Sequence, residues 1–163
     1  MSRAKLVARV GLLAALALPT HRGVAQTADP ATPTPPAAQE AVVGLSVRGT
    51  HKAYPTALFS SRRVVNDVLG DMEVAVFHDP ERGLSAAWFR IVLGEPIEFS
   101  GAANGTVADD LTTITRWDLT SGVAVGGNLQ GQRLVPLSVK TTSWAGWAAT
   151  HPNAEVFREG EGR

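Results

Sequence analysis

Short stretches of alternating apolar and polar residues recur from residue 42 almost to the end of the chain. Alternation with a period of two is typical of half-buried β-strands, and strands separated by short Gly-containing turns form hairpins. The pattern therefore predicts consecutive antiparallel hairpins. The predicted strands cover residues 43–47, 50–54, 64–68, 72–77, 85–93, 96–100, 113–117 and 133–139, and a short helical turn covers residues 56–61.

One segment near the C-terminus predicts a helix. Ser143 can cap it, Trp144 and Trp147 fall on one face, and His151-Pro152 ends it. We expect both indoles to pack this helix against a sheet. Many short strands with a single late helix predict a mainly β fold, in which antiparallel hairpins form a curled sheet, a barrel or a sandwich with one short C-terminal helix.

The first 25 residues have the composition of a secretory signal peptide. Three basic residues precede an uncharged apolar run, Val10–Leu18, and small residues surround a cleavage position after Ala25. We therefore expect a periplasmic or secreted protein. The apolar run is about half the roughly 20 residues that span a bilayer, so we expect no stable membrane insertion after cleavage. A retained N-terminal anchor is the alternative.

The rest of the chain divides into three parts. Residues 26–40 are rich in Pro, Ala and Thr and predict a disordered linker. Residues 41–158 carry the strand patterns and predict a single mainly β domain. Residues 159–163 form a polar tail.

Charge and cysteine content narrow the possible functions. The full chain has 15 basic and 15 acidic residues, and loss of residues 1–25 removes only basic ones, so the mature protein is mildly acidic. An acidic chain without a basic stripe is a poor binder of nucleic acid or anionic membranes. The chain has no cysteine, which excludes thiol redox chemistry, disulfides and a Cys nucleophile.

Four sequence blocks resemble a bacterial family of unknown function, numbered 3179. The family patterns are G-x-x-R-A-Y-P, V-N-D-x-x-G, D-x-x-T-G-S-x-W-x-x-x-G, and G-x-L-x-G-x-x-L followed by W-F-x-W and H-P. The matching blocks are Gly49–Pro55, Val64–Gly70, Asp110–Gly122, and Gly126–Leu134 with Trp144–Trp147 and His151-Pro152. Their common order and spacing imply the family's fold over the whole mature domain.

The departures from the family pattern limit what the resemblance implies. Many members carry Cys-Pro-x-Cys where this chain has His78–Gly83, so the chain resembles a cysteine-less branch and no thiol function carries over. Lys52 replaces an Arg, and Thr115 replaces a Ser. Ile114 stands where the family has a Gly, which alters a turn.

Eight polar or aromatic residues are candidates for contacting a ligand, and all but one of them lie in these blocks or at predicted strand ends. They are Tyr54, Asn66, Asp67, His78, Arg90, Asp110, Trp117 and Trp144. Five of them have a structural alternative: Asn66 and Asp67 as turn formers, His78 as part of a partly exposed turn, and Trp117 and Trp144 as core.

The sequence carries no signature of a particular reaction. No Gly-x-Ser-x-Gly elbow or phosphate-binding loop is present, and the histidines of the mature chain have no metal-ligand spacing. We therefore expect no catalytic residues, no bound metal and no cofactor. The favoured hypothesis is a non-catalytic binding or assembly module for an unknown small molecule or protein. The alternatives are a metal-handling or hydrolytic protein using His78 and nearby carboxylates, and a degenerate relative of a Cys-dependent redox family.

Overall fold

The computed structural model describes residues 34–160, and only the backbone of residues 101–104. Strands dominate, which confirms the predicted mainly β fold, and the sheets of the described residues do not close into a barrel. The strands are β1 (Ala41–Val47), β2 (Thr50–Pro55), β3 (Val64–Leu69), β4 (Met72–Asp79), β5 (Leu84–Phe89), β6 (Ile91–Val92), β7 (Glu95–Pro96), β8 (Phe99–Asn104), β9 (Val107–Asp110), β10 (Thr115–Asp118), β11 (Val123–Gly127), β12 (Val135–Leu137), β13 (Val139–Ser143) and β14 (Glu155–Val156).

These strands form three four-stranded sheets and one two-stranded ribbon. The β1 sheet has the order β13-β1-β2-β14, the β4 sheet has the order β12-β5-β4-β3, and the β10 sheet has the order β11-β10-β9-β8. The ribbon pairs β6 with β7. All pairings between named strands are antiparallel except that of β14 with β2.

The β4 sheet lies between the other two sheets, and each of its faces belongs to a different core. Ala75 and Phe77 pack with Trp117 and other residues of the β10 sheet. The alternating residues Val74 and Val76 pack with the β1 sheet. A strand that is covered on both faces has a continuous run of apolar residues rather than an alternating pattern. β4 has such a run, because Val74–Phe77 are all apolar and buried.

A short helix, α1 (Trp144–Thr150), covers the outer face of the β1 sheet. Ser143 caps it as predicted, since its Oγ accepts the N–H of Gly146 at 3.2 Å. Trp147 is buried against Val42 and Ala53, and Trp144 is half-buried. The sheet approaches so closely that a Cβ on Gly44 would lie 2.3 Å from the Trp147 ring.

Several elements differ from the prediction. The apolar run 85–93 is divided between β5, which ends at Phe89, and the two-residue strand β6. Between them the Arg90 N–H donates to the Glu73 carbonyl, and the Arg90 carbonyl accepts the Ile97 N–H. The run 133–139 divides into β12 and the start of β13. The Gly-rich segment 122–131, predicted to be a connection, contains β11.

The predicted short helical turn is a 3₁₀ helix at Thr56–Ser60. The described residues include no helix that is both long and apolar enough to cross a membrane. The predicted signal peptide and most of the predicted linker lie outside the described residues.

Candidate functional site

Two of the family-like blocks meet in a buried charged network between the β1 and β4 sheets. Lys52 and Tyr54 are two residues apart on β2, so both side chains point to the same face. Asp67 on β3 accepts from both: its Oδ2 lies 2.9 Å from Lys52 Nζ and 2.8 Å from Tyr54 Oη. All three residues are buried.

The C-terminal segment completes the surroundings of this network. Glu155 on β14 lies 3.6 Å from Lys52 Nζ, and Phe157 stacks on Tyr54 with ring centroids 5.4 Å apart. Burial, and next the charge of Asp67, raise the pKa of Tyr54 well above its ordinary value of 10.0. A neutral phenol that donates to a buried carboxylate is a structural contact, since no open face of the phenol is left for a substrate.

Asn66 faces away from this network and connects two sheets. Its Nδ2 donates to the Phe99 carbonyl at 2.8 Å, and its Oδ1 accepts the Phe99 N–H at 3.0 Å. One amide thus satisfies both backbone groups of a residue on β8, as a neighbouring strand would. The expectation that Asn66 bonds a turn is wrong, because its partner lies 33 residues away on another strand.

His78 is buried, so the expectation of a partly exposed turn residue is wrong. It is still part of β4, directly opposite Ser85 on β5. Its Nδ1 lies 2.9 Å from Ser85 Oγ, which in turn lies 2.8 Å from Thr141 Oγ1 on β13. Burial lowers the pKa of His78 below its ordinary value of 6.5.

Asp79 points to a different set of partners from His78. It accepts from Arg82 Nη1 at 2.6 Å and from Arg63 Nη1 at 3.1 Å, and also from the N–H of Glu81 at 3.0 Å. The hydrogen bond from Arg82 is the largest influence, and it lowers the pKa of Asp79. His78 and Asp79 therefore do not form one catalytic pair.

The two remaining candidates, Arg90 and Trp144, lie in different parts of the fold. Arg90 is buried and pairs with Glu73, and its Nη1 donates to the Ile97 carbonyl at 3.0 Å. Trp144 lies on α1, half-buried at the edge of the small core under that helix. Arg90 thus contacts Glu73 on β4 and Ile97, whereas Trp144 belongs to the core under α1.

Asp110 and Trp117, which both belong to the third family-like block, are hydrogen-bonded to each other. Trp117 Nε1 donates to Asp110 Oδ2 at 2.8 Å, and Asp110 Oδ1 accepts the N–H groups of Thr112 and Thr113 at 2.9 and 2.6 Å. Both Asp110 and Trp117 are buried. The carboxylate thus shapes the turn between β9 and β10, and the structural alternative for Trp117 as core is correct.

An open groove lies on the outer side of this turn. Its volume is about 490 Å³, within the range of roughly 300–1,000 Å³ for small-molecule sites. Three exposed apolar side chains line it, with an ion pair between Arg116 and Asp109 at 3.1 Å. The lining residues are Asp109, Asp110, Leu111, Ile114, Thr115, Arg116, Val125, Gly126 and Gly127.

Ile114 holds an unusual backbone conformation at this groove. Its φ is +56°, in the left-handed region that β-branched residues avoid, and its side chain is 71% exposed. Gly127 packs against it so closely that a Cβ there would lie 2.3 Å from the Ile114 carbonyl oxygen. The turn therefore keeps a glycine-like geometry although the sequence places an isoleucine there.

Sequence reasoning missed two pairings. Ser85 lies across the sheet from His78, and His51 lies beside His151, with ring centroids 4.3 Å apart. Both depend on strand register and on the docking of α1, neither of which residue spacing reveals. Within residues 34–160, no group of three or more His, Cys, Asp or Glu side chains is placed to hold a metal ion.

Fold and contacts together define a cysteine-free, layered β domain whose buried polar residues join its sheets. The chain belongs to the family described as protein of unknown function (DUF3179), whose family model matches residues 19–163. No curated protein matches the chain in sequence.

Proposed function

We propose that this protein is an exported, non-catalytic binding or assembly domain, and that the groove beside the β9–β10 turn receives a small molecule. One observation carries the proposal: Tyr54, Asp67, Asp110 and Trp117 are buried and bonded to one another or to backbone. The groove, in contrast, offers apolar side chains to solvent.

The lining of the groove suggests the chemistry of its ligand. Leu111, Ile114 and Val125 are 60%, 71% and 46% exposed, and side chains of this kind favour an apolar ring or chain. Arg116 and Asp109 lie beside them and can exchange their mutual contact for hydrogen bonds to a polar group. A compound with a flat apolar body and one anionic group fits both features.

Anilinonaphthalene sulfonate is a suitable probe, because it has an apolar ring system and a sulfonate. We expect saturable fluorescence enhancement with the full chain and loss of it in Val125→Glu. Leu93→Glu is the matched control, since it adds the same negative charge at a residue that is 80% exposed but lies in the β6–β7 turn outside the groove. Equal binding by wild type and Val125→Glu would refute the groove as the binding surface.

Export and the absence of catalysis have separate tests. We expect mass spectrometry of the exported protein to give an N-terminus at or near Gln26, and an intact Met1 in that fraction would refute cleavage. A hydrolytic activity of the purified protein, with or without added metal, would overturn the non-catalytic proposal.

One contact favours the hydrolytic alternative. Ser85 Oγ lies 2.9 Å from His78 Nδ1, the arrangement in which a histidine can activate a hydroxyl. Ser85 Oγ also bonds Thr141 Oγ1, so the hydroxyl already has a second partner. An esterase screen with Ser85→Ala as the control decides between the two, because only this alternative predicts turnover that the substitution abolishes.

A further inference from the structure

Two histidines from distant parts of the chain lie side by side next to Trp147. His51 lies on β2 and His151 follows the last turn of α1, and their ring centroids are 4.3 Å apart with an interplanar angle of 48°. His151 also stacks on Trp147 at 4.0 Å. Both histidines are half-buried, so each ring is held in place but remains accessible to solvent.

The hydrogen bonds of His151 determine which ring nitrogen carries the proton. Its Nδ1 lies 2.9 Å from Thr150 Oγ1 and 3.3 Å from the Trp147 carbonyl oxygen. The Thr150 hydroxyl donates to that same carbonyl at 3.0 Å, so its oxygen is left to accept. Nδ1 therefore donates, and the neutral ring has its lone pair on Nε2.

His51 has a similar arrangement. Its Nδ1 lies 2.7 Å from Ser46 Oγ, its cross-strand partner. The hydrogen bonds of residues 34–160 include none to the Nε2 of either histidine. The Ser46 hydroxyl oxygen can accept the Nδ1–H of His51. A histidine that donates Nδ1–H to an oxygen and has an open Nε2 has the usual form of a metal ligand with its orienting partner.

We propose that Nε2 of His51 and Nε2 of His151 bind one divalent transition-metal ion, with water completing its coordination. Metal–imidazole nitrogen bonds of about 2.0–2.1 Å place two ring centroids roughly 4.5–5 Å apart around a shared ion. The observed centroid separation of 4.3 Å, with the ring planes 48° apart, is slightly shorter, so binding requires the rings to turn until both Nε2 lone pairs point at the ion. The ion would link the end of α1 to the β1–β2 hairpin.

The donor set selects the class of metal. Imidazole nitrogen suits Cu²⁺, Ni²⁺ and Zn²⁺, and among these Cu²⁺ binds most tightly at a given site. Mg²⁺ and Ca²⁺ prefer oxygen ligands. This site is independent of the proposed groove, and its occupancy requires no catalysis.

The test is a Cu²⁺ titration of the untagged full chain, followed by calorimetry and tryptophan fluorescence. We expect one equivalent to bind, with quenching of Trp147, which lies next to the site. His51→Ala and His151→Ala should each weaken binding at least about tenfold, since even changes in outer-shell partners cost 10–100-fold. Mg²⁺ should cause no quenching.

His78→Gln and His21→Gln are the matched controls, because they remove the other two histidines of the chain and should leave the affinity unchanged. Imidazole ¹⁵N spectra of the wild type with Zn²⁺ do not depend on whether a variant folds. The Nε2 resonances of His51 and His151 should shift, and those of His78 should not. Binding that survives loss of both His51 and His151, or Zn²⁺ shifts confined to other histidines, would overturn the proposal.

Discussion

We expect the fold to be sensitive to loss of the Asp67 carboxylate, which accepts hydrogen bonds from two buried side chains, and Asp67→Asn is the substitution that tests this. Asn has nearly the same shape, so it removes the charge with little change in packing. Lys52 would then keep a buried ammonium, 8% exposed, whose remaining acidic neighbour is the exposed Glu155 at 3.6 Å. The carboxylate that accepts the Tyr54 hydroxyl at 2.8 Å would also be gone.

The expected loss follows from the burial of both partners. Removing one member of a buried ion pair costs about 3–5 kcal/mol, because the other charge stays desolvated without compensation. An exposed pair contributes only about 0–1 kcal/mol. Arg48 and Asp71 form such a pair, with 69% and 75% of their side chains exposed, so Asp71→Asn is the matched control.

Urea unfolding followed by tryptophan fluorescence measures both variants. We expect Asp67→Asn to lose about 3–5 kcal/mol and Asp71→Asn less than about 1 kcal/mol. In a Lys52→Met background, Asp67→Asn should cost clearly less, because no buried cation remains to be left unpaired. Equal effects of Asp67→Asn and Asp71→Asn would refute the idea that the network is desolvated.

Three further predictions test other parts of the structure. Tyr54 is the only tyrosine, and its pKa is raised above 10.0, so phenolate absorbance of the native protein should appear only above pH 10. The free energy of unfolding should fall as the pH rises past 10, because the unfolded chain then loses the phenol proton more readily than the folded one. A phenol that titrates in the native protein as it does in a free peptide would contradict this. Ile114→Gly should raise the free energy of unfolding in urea by about 0.5–1 kcal/mol. The substitution relieves about 1–2 kcal/mol of strain from the left-handed backbone at Ile114, and this gain outweighs the roughly 0.4–1 kcal/mol by which a glycine increases the entropy of the unfolded chain. Gly44→Ala should destabilise by about 1–3 kcal/mol against Trp147, and an unchanged urea midpoint would mean that α1 is loosely docked.

The sequence predicts the first half of the fold well, and for a physical reason. The hairpins β1–β2 and β3–β4 are local, with turns at Arg48-Gly49 and Gly70 whose φ values are positive, so adjacent residues specify them. The cap of α1 is equally local, because Ser143 bonds Gly146 three residues on.

Non-local pairings could not be predicted in the same way. β14 has two residues and pairs with β2 across about a hundred positions of sequence, and β11 lies in a Gly-rich segment with weak strand propensity. Each is stabilised by the neighbours that tertiary structure brings to it. Asn66 bonds the backbone of Phe99, and this contact depends on how two sheets pack. The alternation of apolar and polar residues along the chain carries no information about that packing.

The same reasoning explains why the family-like blocks predict the fold better than the function. In the first and second blocks, Lys52, Tyr54 and Asp67 join the β1 sheet to the β4 sheet. In the third block, Asp110 and Trp117 bond each other inside the turn that carries the groove. Residues of this kind constrain how layers pack, and any ligand must be recognised by side chains that the layers leave exposed. Among the described residues, the groove around Ile114 and the half-buried His51–His151 pair combine solvent-accessible side chains with a fixed backbone, so experiments on function should begin with these two sites.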